Sequence, residues 1–441
     1  MKNPFSRKKN SGEKGKEKRQ GRFSDNVKDF FDPAPQKEKV LRHEDFRGAG
    51  DDYYATVSAR YKITQRIFSV LFVVFLLFSI LTNITNITYG NLFYFVRDFG
   101  NAVDIASTNY ETVSYDVLRD QNFSLFRGGI AAVSPSNVSV YTATGRRTLR
   151  SRSSYVMPYA VSSKKYLLTY DLSGNTFALY NSFSKVYSEE LDYPITDADI
   201  SDSGVFAVVS RSSEFKTVIN VYNNKIKLVG RYSKNQYCFD VAIDSEGERM
   251  AALFYEVGDG RGAATLRVYD ISDKDYSKED SELARILYEE TLTNVFPLAC
   301  SFFENGRLSF VTSSSVSIYD ENYAIRDRIG FVGEMSAISA DTDGTVLAIK
   351  NGALNGRNRI IAFNDEAELI FDDSVLFGVE GIGIRGEYVF IKSDSGAVRL
   401  STANGDTEYH ECHNGKMLVY DDSTVIVCGE SSAVYVKFEN N

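Results

Sequence analysis

The sequence predicts an all-β fold, an eight-bladed β-propeller with a seven-bladed ring as the alternative, preceded by a disordered tail and one transmembrane helix. Three observations predict it: an uninterrupted apolar run near the N-terminus, opposite charge on its two sides, and a strand unit that recurs about every 40 residues beyond it. The chain divides accordingly into a basic cytoplasmic tail (1–62), a signal-anchor helix (63–87), a juxtamembrane segment (88–110) and an extracytoplasmic propeller (111–441).

Residues 67–81, IFSVLFVVFLLFSIL, carry no charge and only Ser69 and Ser79 as polar side chains. Carried on through Ile84 and Ile87, the segment reaches about 21 residues, enough at ~1.5 Å each to cross a hydrocarbon slab of ~30 Å. It lacks the polar face of a soluble core helix. With 66 residues ahead of it and no small-x-small cleavage site behind it, it reads as an uncleaved anchor rather than a signal peptide.

Charge sets its direction. Residues 1–66 hold 17 Lys and Arg against 10 Asp and Glu, and the remainder 33 against 49. Arg60, Lys62 and Arg66 flank the start of the run, whereas the first basic residue after it is Arg97, and positive charge stays cytoplasmic. The Lys, Gly and Ser mixture of residues 1–22 has too few apolar groups to fold alone. It is suited to anionic lipid headgroups, and no nucleic acid is expected as its partner. Phe23, Val27, Phe30 and Phe31 fall on one face of a short helix that Ser24 would cap and Pro33 would end, a candidate docking motif within the tail. A Phe-rich stretch (Leu92, Phe93, Phe95, Val96 and Phe99) follows the span and is expected as a helix near the membrane.

Beyond it the pattern is short alternating apolar runs between Asp, Asn, Ser and Gly clusters, interrupted by a helical period at most over residues 274–287. A turn and apolar strand recur in SDSGVFAVVS, DSEGERMAALF, ENGRLSFVT, DTDGTVLAIK, RGEYVFIK and DDSTVIVCG. After each comes a strand ending in Tyr, or a substitute, then Asp or Asn. The marks are Tyr141, Tyr180, Tyr222, Tyr269, Tyr319, Phe363, Ser401 and Tyr435, spaced by 39, 42, 47, 50, 44, 38 and 34 residues. Such a sheet cannot cover both of its faces alone, so neighbours must stack radially. The last unit has three strands before the chain stops; ETVSYDV (111–117) is the expected fourth, which would close the ring and remove its open edge.

With a basic tail, one span and these Tyr-Asp and Tyr-Asn repeats, the chain resembles membrane-anchored propellers of the YVTN, quinoprotein-like or WD40-like type, a domain of unknown function in the envelope of clostridial Gram-positive bacteria. The resemblance implies fold and location, and a role as a binding platform. It brings no catalytic residues, and the absence of Trp sets the chain apart from quinone-dependent relatives. No cofactor is expected.

Candidate chemistry is sparse. His410, Glu411, Cys412 and His413 cluster as HECH, but alternate residues of a strand point to opposite faces, and an outer-strand turn is the expected reading over a metal site. Asp197, Asp199 and Asp202 before Gly204, and Asp341 and Asp343 before Gly344, lack the D-x-D-x-D-G pattern and distal Glu of a calcium loop and are read as hairpin turns. No C-x-x-C, P-loop or nucleophile elbow is present. Cys412 and Cys428 are near enough in sequence for a bridge; buried free thiols are the expected state of all four cysteines.

The least repeat-like segments are GDGRG (258–262), the insertion after Ser272, and NGALNGRN (351–358). Long excursions from a propeller sit on a rim, which makes Asp259, Arg261, Asp273, Lys274, Asp275, Tyr276, Arg357 and Arg359 the candidate partner-binding residues. The expected function is a non-enzymatic platform for an envelope protein or surface polymer. A carboxylate-based enzyme acting on glycans or phospho-polymers, and a transmembrane relay from an external ligand to the basic tail, are the alternatives.

Overall fold

The computed structural model describes residues 49–82, 112–116, 120–181, 184–258, 260–272, 285–350 and 357–439. Two units are present, one ending at Val96 and one beginning at Arg97.

The first unit contributes one helix of 34 residues, Ala49–Thr82, about 51 Å long. It begins at Ala49, before residue 63, where the signal-anchor helix was expected to start. Within it Arg60–Phe78 has a mean hydropathy of 1.6 and is long and apolar enough to cross a membrane. Phe68, Phe72, Phe75 and Phe78 stand exposed around it, so the helix has no buried side of its own. Two hydroxyls bond back along the helix: Thr64 Oγ1 donates to the Arg60 carbonyl at 3.0 Å and Ser69 Oγ to the Gln65 carbonyl at 2.9 Å, an arrangement compatible with a hydrocarbon environment.

The second unit is a ring of eight four-stranded antiparallel sheets. Blades 1 to 7 are continuous in sequence, at 122–152, 158–190, 197–234, 237–293, 297–330, 334–375 and 381–411. Blade 8 is composite. Its inner three strands are Lys416–Val419, Thr424–Cys428 and Ser432–Lys437, and its outermost is Thr112–Ser114, paired Thr112 to Val434 and Ser114 to Ser432. The expected closing strand therefore forms, and the ring is eight-bladed rather than seven. Part of the segment considered for a helical period is strand instead, since Ile286–Thr293 is the outer edge of blade 4.

Burial follows radius. Second strands such as Phe206–Ser210 and Leu308–Thr312 are buried throughout, whereas the outer strands Lys185–Glu190 and Thr407–Glu411 alternate between exposed and half-buried positions. The apolar clusters lie between blades rather than within them. Ala207, Ile219 and Val221 of blade 3, for example, pack with Met250, Ala252 and Phe254 of blade 4. No blade has a core until its neighbour arrives.

The recurring Tyr serves that interface. Tyr222 of blade 3 reaches back to Glu189 on the outer strand of blade 2 at 2.8 Å, and Tyr319 of blade 5 likewise donates to Glu290 of blade 4. The Asp or Asn that follows builds the next turn. Asn223 Oδ1 accepts from the Lys225 and Lys227 amides, and Asp320 Oδ1 from the Asn322 and Ala324 amides, the Asx geometry that ends a strand. The first turns of several units rely on similar chemistry, with Ser201 and Asp244 accepting from their own turns, aided by Gly204 and Gly247 at φ of 93° and 74°, a region open to glycine at no steric cost.

All innermost strands run in one sense around the axis. The ring consequently has a turn face, which carries the first-to-second and third-to-fourth strand turns, and a connection face, which carries the blade-to-blade connections and the second-to-third hairpins.

Candidate functional site: the central channel and its two mouths

The innermost strands enclose a cavity of about 1020 Å³ along the axis, walled by Asp197, Asp199, Asp240, Cys300, Asp341 and Lys416 among others. An innermost strand is hydrogen-bonded on one side only, so its other edge presents backbone amides with no ladder partner. In blades 3 to 5 carboxylates supply the partner. Asp197 Oδ2 accepts from the Val241 amide at 2.9 Å, Asp199 Oδ2 from the Ile243 amide at 2.8 Å, and Asp240 Oδ2 from the Cys300 amide at 2.7 Å. On the other side of the ring the links are of a different kind. Ser162 Oγ donates to the Leu125 carbonyl at 2.5 Å, and Lys416 Nζ crosses from blade 8 to the Phe123 carbonyl at 3.0 Å.

The carboxylates thus crowd into one arc, and their acidity responds. Burial, then the neighbouring Asp240 and Asp199 charges, pushes Asp197 well above the usual carboxylate range. Burial likewise raises Asp199 and carries Asp240 up to about 7, against the opposing pull of its bond from Cys300. Asp341, near the turn-face mouth and still touched by channel solvent, is raised to about 6 by burial and by Asp343. The mean charge of the arc at neutral pH is therefore lower than a count of acids gives.

At the turn-face mouth the charges are paired across blades. Lys164 of blade 2 lies 2.9 Å from Asp202 of blade 3 and 3.7 Å from Glu304 of blade 5, and Arg385 of blade 7 pairs with Asp343 of blade 6. Lys164 and Glu304 are largely open to solvent, at 73% and 70% exposure, and Arg385, Asp343 and Asp202 are partly so; an ion pair with solvent access contributes little to stability.

The structure corrects one reading of these acids. Asp197 and Asp199 are not turn residues: they lie on the innermost strand Asp197–Ile200 with their carboxylates in the channel, and only Asp202 belongs to the turn. The sequence signal for this was their i, i+2 spacing, which puts both on one face of a strand. Asp240 was missed because it stands alone in its own strand, 43 residues after Asp197 in sequence.

Of the candidate partner-binding residues, Arg261, Arg357 and Arg359 are among the described residues. Arg261 begins the strand Arg261–Asp270 at the connection face, whereas the chain leaves that strand toward residue 273 at the turn face, about 30 Å away at ~3.3 Å per residue. Arg357 is exposed at the connection face. Arg359 clamps Asp372 of its own blade with two bonds of 2.7 Å, so its guanidinium is committed within the sheet. Asp259, Asp273, Lys274, Asp275 and Tyr276, and the tail residues Phe23, Val27, Phe30 and Phe31, lie outside the described residues, as does the Phe-rich stretch after the span.

The HECH segment closes the outer strand of blade 7 and the connection to blade 8. His410 bonds Glu408 at 2.9 Å, and Glu408 also pairs with Arg399 and accepts from the Glu439 amide, pinning the end of the ring. Among the described residues no group of three or more His, Cys, Asp or Glu side chains is arranged to hold a metal ion. All four cysteines are free, with Cys412 half-buried and the other three buried.

The chain belongs to a family of unknown function, DUF5711, whose sequence model matches residues 105–434. No protein of curated function matches it. Solved structures with a similar chain path include BamB from Moraxella catarrhalis, at 12% identity over 75% of this chain and 99% of that one with a TM-score of 0.48. Apo AztD from Citrobacter koseri gives 11% identity, 67% and 87% coverage and a TM-score of 0.47, and Kuenenia stuttgartiensis hydrazine synthase 11%, 69% and 98%, and 0.44.

Proposed function

We propose that this chain is a single-pass membrane protein with its N-terminus in the cytoplasm and its propeller outside, serving as a non-enzymatic platform that binds an envelope protein or a cell-surface polymer. The binding surface is the turn face, around the charged channel mouth. The observation that carries this reading is a division of labour among the carboxylates. Asp197, Asp199 and Asp240 are spent on joining blades, whereas Lys164, Asp202, Glu304, Asp343 and Arg385 gather at an open mouth where their pairing adds little stability. Arg261 and Arg357 lie on the opposite face.

The test is chemical cross-linking of intact cells expressing the tagged full-length chain, alongside a variant with Lys164→Glu and Arg385→Glu and another lacking residues 273–284. A discrete species that co-purifies with the parent and is lost from the charge-reversed variant supports the platform. An equal yield from all three removes the turn face from the account.

One observation favours a second reading, carboxyl acid and base chemistry on a glycan or phospho-polymer drawn into the channel: Asp240 titrates near neutrality beside Asp197 and Asp199. Asp240→Asn separates the two, because a platform keeps its partner and an enzyme loses turnover.

A further inference from the structure

Six consecutive blade-to-blade connections, from blades 1 and 2 round to blades 6 and 7, each carry a large apolar side chain in solvent at or beside the connection: Val156, Tyr193, Tyr237, Phe296, Val332 and Leu376. Val332, Val156 and Leu376 are 83%, 78% and 74% exposed. Among the described residues no turn-face loop carries such a side chain; Leu228, Ile325 and Leu369 open outermost strands beside turn-face turns but stay below half exposed, and the other exposed large apolar residues of the ring lie on outermost strands or at this same connection face. At blade 4 the apolar edge thickens into a wedge. Phe239, Tyr255 and Phe296 stack edge to face at 4.6 to 5.9 Å beneath a hairpin paired out to Gly258 and Arg261.

We infer that the connection face is a membrane-contacting surface, seated on the headgroup and acyl boundary of a lipid bilayer. The inference rests on the proposed anchoring of the chain. Three features favour a bilayer over a protein partner. Protein-binding energy concentrates in one central cluster, whereas these side chains are distributed at about one per blade around an arc at one end of the ring, as contact with a plane requires. They include the Tyr and Phe side chains that settle at an interface, with the ring in the apolar layer and the hydroxyl in water. The chain also carries its own candidate span. The charges at this face are of both signs, Lys216, Arg261 and Arg357 against a larger number of exposed acids, of which Asp192 and Glu380 stand on the apolar connections themselves. Seating therefore depends on apolar insertion and not on anionic lipid.

The test uses the full-length chain with Cys412→Ser, reconstituted in phosphatidylcholine vesicles whose acyl chains carry a nitroxide quencher. A fluorophore is placed singly at Val156→Cys, Val332→Cys or Leu376→Cys, and on the turn face at Ser203→Cys or Glu246→Cys. Connection-face labels are expected to be quenched about twofold or more, equally at low and high salt and with or without phosphatidylglycerol, while turn-face labels are unaffected. Connection-face labels as bright as turn-face labels overturn the inference. So does energy transfer between differently labelled chains at these positions without lipid quenching, which would assign the face to a second copy. Loss of the chain from the vesicles in an alkaline wash would instead remove the anchoring itself.

Discussion

On the turn face, Asp244 accepts from the Glu248 and Arg249 amides and from the Arg249 guanidinium, and Ser201 and Asp421 fold an oxygen back onto their own turns in the same way. On the connection face, Val156, Val332 and Leu376 extend into solvent and touch little else. Polar side chains on the first face are required by the backbone that carries them, because each satisfies amides a tight turn would leave unpaired. Apolar side chains on the second are required by nothing within the ring. A residue the fold does not need, repeated around six connections, calls for an explanation outside the fold.

That contrast can be broken by substitution. Asp244→Ala should have the largest effect, a loss of about 2–3 kcal/mol, since it strands two turn amides and a partly buried guanidinium; thermal or denaturant unfolding of the full chain reads it directly. A loss below ~0.5 kcal/mol would mean that water satisfies the turn, and that the polar face is no more constrained than the apolar one.

Asp240→Asn probes the channel between the faces. The carboxyl of Asp240 is raised to about 7 in the folded ring, above its ordinary value, so the folded state binds its proton more tightly than the unfolded chain does. Stability contributed by that proton is complete at pH below about 4, falls as pH rises from there to about 7, and is gone above it. The variant keeps an oxygen for the Cys300 amide and has no charge to bury. Its melting temperature should vary less with pH across this window, and at pH 8 its unfolding free energy should exceed the parent's by on the order of 1–2 kcal/mol. An unchanged pH profile would show that Asp240 is not held protonated.

Val332→Asp should have the smallest effect on folding, within ~0.5 kcal/mol of the parent, despite placing a charge where an aliphatic group stood. A larger loss would show that Val332 packs in the fold after all, and the difference between the faces would narrow.

The ring itself was legible in the sequence because its marks have local causes. An aromatic residue that closes the third strand and an Asx residue that builds the next turn recur in blades 2 to 6, and Thr112–Ser114 could be assigned as the missing strand from the count alone. Spatial convergence left no such trace. Asp197 and Asp240 meet only because two innermost strands lie side by side, and the sequence shows neither which strand is innermost nor which edges lack partners. The two excursions of blade 4 are near in sequence. The ten residues of Arg261–Asp270 between them form a strand running from one face to the other, so counting strand direction would have separated them.

The account stands on the two faces meeting different partners, and site-specific photo-cross-linking of the full chain in intact cells tests this most directly. With a benzophenone amino acid at Ser203 on the turn face or at Val332 on the connection face, the account predicts a discrete protein or polymer adduct from position 203 and only lipid adducts from position 332. The same macromolecular adduct from position 332, with none from 203, would contradict it.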